Sequence, residues 1–186
     1  MPPSSDSEHL NEETIESQAI YSGKILALRR DTVKIGYGKV AIREIVEHAG
    51  AVAIVAFTDE GKIILVKQFR KATNKELLEI PAGTLEKSEE PIHCALRELE
   101  EETGYVASEM KPVLSFYLAP GYSTEIMHIF RAGTLQKTGQ RLEEDEAVEI
   151  IEVELDEAIS MIGRKEIEDA KTITSLLATK FLFLDS

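Results

Sequence analysis

The hydrophobic period of this chain changes three times, and those changes limit the folds open to it. Short β-type runs come first, the spacing turns helical over "EEPIHCALRELEEETG" (89–104), strand-type runs return, and helical spacing reappears near 155–163 and 167–181. A period of two and a period of 3.6 place side chains on different faces, so each stretch commits to one element type. Among the early runs, "SQAIYSGKILALRRDTVKIGYGKVAIREIVEH" (17–48) alternates and is punctuated by Gly23, Gly36 and Gly38, which predicts a small antiparallel meander over about 14–48. "GAVAIVAFTDEGKIILVKQFR" (50–70) holds two apolar runs joined by "TDEG" and predicts a hairpin. Strands are expected again at "VLSFYLA" (113–119), "IMHIFRAG" (126–133) and "AVEIIEVEL" (147–155). Strands, helix, strands, helix reads as a mixed α/β sandwich.

A length of 186 residues suits one domain with a small appendage, and 43% hydrophobic residues suffice for a core. The longest apolar runs, 51–57 and 181–184, fall far short of the ~20 residues that span a bilayer, so no membrane partner is expected. Residues 1–13 are polar and acidic and read as a disordered leader rather than a secretory signal. A lone cysteine, Cys94, gives no internal disulfide and suits a reducing cytoplasm. The net charge of −13 argues against a nucleic-acid partner, because phosphate backbones call for Lys and Arg.

The helical stretch raises a problem. Ser88 is a plausible N-cap, Pro91 falls in the first turn, and Gly104 suits a left-handed terminus. Ile92, Leu96, Leu99 and Thr103 form the stripe expected to face the core. Glu98, Glu101 and Glu102 stand at i, i+3 and i+4, towards the end where the helix dipole disfavours anions, while Glu100 points away. Each like-charge pair at that spacing costs roughly 0.2–0.5 kcal/mol. A charged face is often merely solvated, but this spacing calls for a cation. Clustered oxygen donors suit hard ions, Mg²⁺ or Mn²⁺, which take substrate phosphate oxygens as well.

The stretch "GTLEKSEEPIHCALRELEEETGY" (83–105) resembles the Nudix box of the Nudix hydrolase family. Gly83, Glu89, Arg97, Glu98, Leu99, Glu101, Glu102 and Gly104 match its fixed positions, and Tyr105 departs from it as an aromatic in an aliphatic place. A chance match is on the order of one in ten million per starting position. The resemblance implies an α/β/α sandwich with a mixed sheet over 49–186. It also implies hydrolysis of a nucleoside diphosphate linked to another moiety, with Glu98, Glu101, Glu102 and the carbonyl of Ala82 as metal ligands. Arg97 and Glu89 carry over as an ion pair pinning loop to helix, with Gly83 and Gly104 structural; Glu101 and Arg97 also count in the catalytic set.

Features outside the box narrow the substrate. Pro120, in "LAPGYSTE" (118–125), lies sixteen residues beyond Gly104, where the ADP-ribose pyrophosphatase branch of the family carries proline. Further similarity to that branch covers "REIVEHAGAVAIVAF", "VKQFRKA", "LLEIPAGTLE" and "DAKTITSLL". The branch places its general base on a loop far downstream, here "QRLEEDEAVEI" (140–150), where Glu144 corresponds best and Glu143 and Glu146 are alternatives. Arg70 is either the phosphate-facing cation or a plain surface arginine. Arg43, Glu79, Pro120 and Glu125 complete the substrate-binding candidates, and Tyr21 or Tyr37 could stack on adenine in a chain without Trp. The resemblance also implies a homodimer in which the 14–48 sheet is exchanged between subunits. The competing readings are another sugar nucleotide such as GDP-mannose, a dinucleotide, or a non-hydrolysing sensor.

Overall fold

In the computed structural model, which describes residues 10–142 and 147–183, the alternating N-terminal runs form β1 (Glu13–Ser22), β2 (Leu26–Lys34) and β3 (Val40–His48). They pair antiparallel in chain order. The β2–β3 turn is a tight 3₁₀ turn over Gly36–Gly38, in which Tyr37 takes a left-handed φ of 64°. Glu12, inside the stretch expected to be a leader, pairs with Arg43 of β3. The chain divides into two compact units, Met1–Ala49 with Ala119–Glu125, and Gly50–Leu118 with Ile126–Ser186. The loop Ala119–Glu125 joins the first unit through backbone bonds: Val46 N donates to Tyr122 O at 2.8 Å, and Thr124 N donates to Val46 O at 3.0 Å.

In the second unit, β4 (Ala51–Val55) shows how its core is divided. All five residues are buried, and alternation splits them. Ala51, Ala53 and Val55 join one apolar cluster, whereas Val52, Ile54 and the following Ala56 join another. Each fully buried Val or Ile is worth about 1.5–3 kcal/mol over its exposed state. β5 (Ile63–Arg70) divides in the same way, Ile63 and Leu65 on one side and Ile64 on the other. The expected β4–β5 hairpin closes beside its turn: Ile64 N donates to Ala56 O and Phe57 bridges Ile63. Beyond that the strands part, because each has better partners elsewhere. β5 pairs with β6 (Lys75–Glu79) and later with β12 (Val148–Val153), while β4 takes the short β7 (Ala82–Thr84).

α1 (Pro91–Thr103) follows β7. β8 (Tyr105–Ala107), β9 (Met110–Tyr117), β10 (Ile126–Ala132) and β11 (Leu135–Lys137) come next. β10 lies parallel to β4 and antiparallel to β9, giving a mixed sheet in the order β7-β4-β10-β9. α2 (Leu155–Gly163) and α3 (Ala170–Ala178) close the unit, with a π turn over Thr179–Phe183. Cys94, Ala95 and Leu99 of α1 pack in the cluster on one face, and Leu155, Ala158 and Leu176 of α2 and α3 pack in the cluster on the other. The mixed α/β fold, helices on both faces of a mixed sheet, is therefore as expected. No helix among the described residues is long and apolar enough to cross a membrane.

Two details of α1 differ from the sequence reading. Its N-cap is Glu90, with Pro91 at the first position and no side-chain cap, whereas Ser88 sits outside the helix with a left-handed φ of 65°. The inward stripe runs through Cys94, Ala95, Leu99 and Thr103, leaving Ile92 39% and Leu96 37% exposed. The small Cys94 and Ala95 admit a close approach to the sheet, which rotates the larger pair outward. Gly104 ends the helix as expected, at φ 68° with its N–H on Glu100 O.

Candidate active site

The strand-loop-helix from β7 to α1 is organised around one guanidinium. Arg97 donates from Nε and Nη2 to the two oxygens of Glu89, at 3.1 and 3.0 Å. Its Nη1 reaches Glu98 at 2.6 Å and Glu101 at 3.0 Å. Glu89 also accepts from Glu86 N at 3.0 Å, so the loop before α1 closes on itself and on the helix. Bidentate, charge-assisted bonds of this kind are about twice as strong as neutral ones. The Arg97 hydrogen bonds hold the Glu89 carboxyl far below its ordinary range, at about 2. Arg97 Nη2 lies 3.3 Å from Cys94 Sγ; burial dominates there and pushes the thiol up to about 12, leaving it an inert packed group.

The acidic helix end leans on β7. Glu102, almost fully buried, accepts from Ala82 N at 2.9 Å. The Glu98 carboxyl lies directly over Gly83, where a Cβ would fall 1.9 Å from its carbon. Only glycine leaves that seat open. The free carbonyls beyond α1 are met by the segment after β11: Arg141 N donates to Glu101 O at 3.0 Å, Gln140 Nε2 to Glu102 O at 2.6 Å, and Thr138 N to Gly104 O at 2.7 Å. These donors and Arg97 offset the anion crowding that the dipole disfavours. Gly104 is required here because a Cβ would lie 2.5 Å from Gln140 N.

Among the described residues no three His, Cys, Asp or Glu side chains stand together as a metal-holding group. Glu98 and Glu101 instead share Arg97, and Glu102 faces Ala82 N. The donor chemistry nonetheless fits a hard divalent ion: every candidate ligand offers oxygen, and the glycine seat brings Glu98 against the backbone beside Ala82.

Arg70 and Glu79 also come together. Arg70 Nε and Nη2 each donate to a Glu79 oxygen at 2.8 Å, across a carboxylate only 1% exposed. Arg70 is thus not a plain surface arginine. Burial raises the Glu79 carboxyl, but bonds from Arg70 and the charge of Lys171 outweigh it, and the net shift is downward. Lys171 had no role in the sequence reading. Its Nζ bonds Glu79 Oε2, the oxygen that Arg70 Nη2 also reaches, and stands 3.1 Å from Asp169. Gln140 was likewise missed; neither contact, spanning 92 and 38 residues, leaves a local signal.

Arg43, Pro120 and Glu125 fall in the first unit. There Arg43 is taken by Glu12, Pro120 is exposed at the head of the Ala119–Glu125 loop, and Glu125 lies 3.8 Å from His48 Nδ1. Tyr21 and Tyr37 are both exposed. Glu143, Glu144 and Glu146 lie outside the described residues.

The NUDIX domain family matches residues 47–176. The ADP-ribose pyrophosphatase of Bacillus subtilis (strain 168) is 50% identical over 165 residues, 88% of this chain and 89% of that one. The methanol dehydrogenase activator of Bacillus methanolicus is 47% identical over 167 residues, covering 89% and 90%. The crystal structure of an ADP compounds hydrolase superposes with a TM-score of 0.80 over 91% of this chain and 92% of that one, at 20% identity, a likeness of fold alone. The intact box, its cradle on β7 and the match over most of the length lead to one conclusion: the chain belongs to the Nudix family of divalent-metal-dependent pyrophosphohydrolases.

Proposed function

We propose that this protein hydrolyses the pyrophosphate bond of ADP-ribose, giving AMP and ribose 5-phosphate, with Mg²⁺ as the working metal and Mn²⁺ as a substitute. The observation that carries the reading is the carboxylate seat, with Glu98 over Gly83 and Glu102 on Ala82 N. The choice of ADP-ribose among diphosphates rests on the name of the Bacillus subtilis relative. Glu98, Glu101, Glu102 and the Ala82 carbonyl would hold the metal, which supplies positive charge against the diphosphate and acidifies water. Arg70, clamped on Glu79, faces a phosphate, and Pro120 and Glu125 shape the substrate side. Glu144 takes the proton from the attacking water, with Glu143 and Glu146 as alternatives.

The working form is a cytoplasmic homodimer. The first unit supports that reading, since Ile15, Ile20, Tyr21, Val40 and Ile42 are each at least half exposed on a sheet of three strands. Patches of this kind mark interaction surfaces. A hydrolysis panel of ADP-ribose, GDP-mannose and dinucleotides with Mg²⁺, read by released mononucleotide, tests the activity. AMP release strongest from ADP-ribose is expected. Preference for GDP-mannose or a dinucleotide would replace the substrate, and tight binding with no release would make the protein a sensor.

A further inference from the structure

Arg70 and Lys171 grip the same buried carboxylate, both through its Oε2, and the two cations are not equivalent. Lys171 is 9% exposed and sits in the first turn of α3. The Arg70 side chain is 41% exposed and spends Nε and Nη2 on Glu79, leaving Nη1 outside that pair. The fourth charge, Asp169, is provided for separately. It caps α3, accepting from Thr172 N at 2.9 Å and Thr172 Oγ1 at 2.6 Å, where the helix N-terminus favours an anion. Lys171 approaches Glu79 more closely than Asp169. The charge on Glu79 is thus shared between a buried cation, Lys171, and a part-exposed one, Arg70.

The same contacts fix the backbone. Thr172 Oγ1 accepts from Ile80 N at 2.9 Å, so α3 holds the residue next to Glu79 as well as its side chain. Two residues on, Ala82 N donates to Glu102. Arg70 in turn lies near enough to Glu102 and Asp169 to feel their charge. A continuous bonded path therefore runs from α3 through Glu79 and Ile80 to the carboxylate helix.

We propose that Lys171 is a positioning residue for substrate binding: by neutralising the buried Glu79, it leaves the Arg70 guanidinium oriented yet electrostatically available to an anionic diphosphate. This deepens the reading of Arg70 as the phosphate-facing cation and rests on it. Without Lys171, Arg70 becomes, among the described residues, the sole counter-charge of a buried carboxylate and is drawn away from the ligand.

Lys171→Gln keeps a donor for Glu79 and removes the charge. The expected result is a KM for ADP-ribose raised about 10-fold, the size of one charge-assisted contact weakened, with kcat within about 3-fold of the parent. Lys171→Arg should restore KM. An unchanged KM in Lys171→Gln, or a fall confined to kcat, overturns the proposal, as does failure of arginine to rescue in a folded protein. Should Lys171→Gln not fold, Lys171→Met, which keeps the packed stem and removes the charge, decides. Its KM should rise about 10-fold, and a KM within about 3-fold of the parent would refute the charge argument. The parent enzyme is assayed first on the full nucleotide panel. A parent that cleaves no diphosphate removes the functional reading and this inference with it, whereas an active parent with an insensitive Lys171→Gln removes the inference alone.

Discussion

Strands β1 and β4 are both rich in residues that favour sheets, yet β4 buries all five of its residues and β1 leaves all ten exposed. The difference lies in what each sheet is given to pack against. β4 runs through the middle of a mixed sheet with α1 on one face and α2 and α3 on the other, so both sets of alternating side chains leave water. β1 is the outer strand of a three-stranded antiparallel sheet, and Ile15, Ile20 and Tyr21 stay more than 40% exposed along it. The second unit closes its own core; the first holds apolar surface that costs about 25 cal/mol per Å² to keep wet.

The largest effect should come from removing the open unit. A 49–186 fragment retains the box and both core clusters, so the homodimer proposal expects it to fold, to sediment as a monomer, and to lose ADP-ribose hydrolysis entirely. A monomeric fragment with full activity would show that the first unit contributes nothing to catalysis. Deleting 1–13 should be tolerated: it removes the exposed Glu12–Arg43 pair, and pairs of that kind are worth about 0–1 kcal/mol.

Next in size is Glu144→Gln, expected to lower kcat by about 10²–10⁴-fold with little change in KM, as when a general base is lost but binding is kept. A large loss at Glu143 or Glu146 in its place would move the base along the loop. A loop insensitive at all three positions would remove it from the mechanism. Within the closed unit, Glu101→Gln and Glu102→Gln should each cost at least about 10²-fold in turnover by weakening transition-state charge stabilisation. Glu102→Gln keeps an oxygen to accept from Ala82 N, so circular dichroism should report a native fold. Near-native turnover of either variant at saturating Mg²⁺ would break the assignment of the metal helix.

How much of this could be read from the sequence differs between the two regions for the same physical reason. Local order was legible: the alternation of β1–β3, the helix ended by Gly104 and the spacing of Glu89, Arg97, Glu98 and Glu102 all depend on neighbours within a few turns. What pairs across the chain was not. The parting of β4 and β5 depends on β10 and β12, and the Glu79–Lys171 contact joins residues 92 apart. The orientation of α1 was misjudged because a count of large apolar residues favours Ile92 and Leu96, whereas close packing on the sheet selects Cys94 and Ala95. "DAKT" carried one usable hint, a capping Asp two residues before a lysine in the first turn of a helix, where exposed charge would be ordinary and burial demands a partner.

The smallest expected effect sharpens the account of the closed unit. Glu89 is held at about 2 in the folded state, chiefly by its hydrogen bonds from Arg97, against an ordinary value of 4.5. A depressed folded-state value means that the unfolded chain binds the proton more readily. The stabilisation is therefore complete above about pH 4.5 and is lost as pH falls towards 2. Glu89→Gln cannot titrate, so its melting temperature should lie below that of the parent at pH 6 and the two should converge as pH is lowered through that window. High salt should narrow the gap at pH 6 only slightly, because the carboxylate is mostly shielded from solvent and its bonds are bidentate. Parallel melting curves with a constant offset down to pH 2.5 would show that the Glu89–Arg97 pair stabilises the loop through packing and not through its charge.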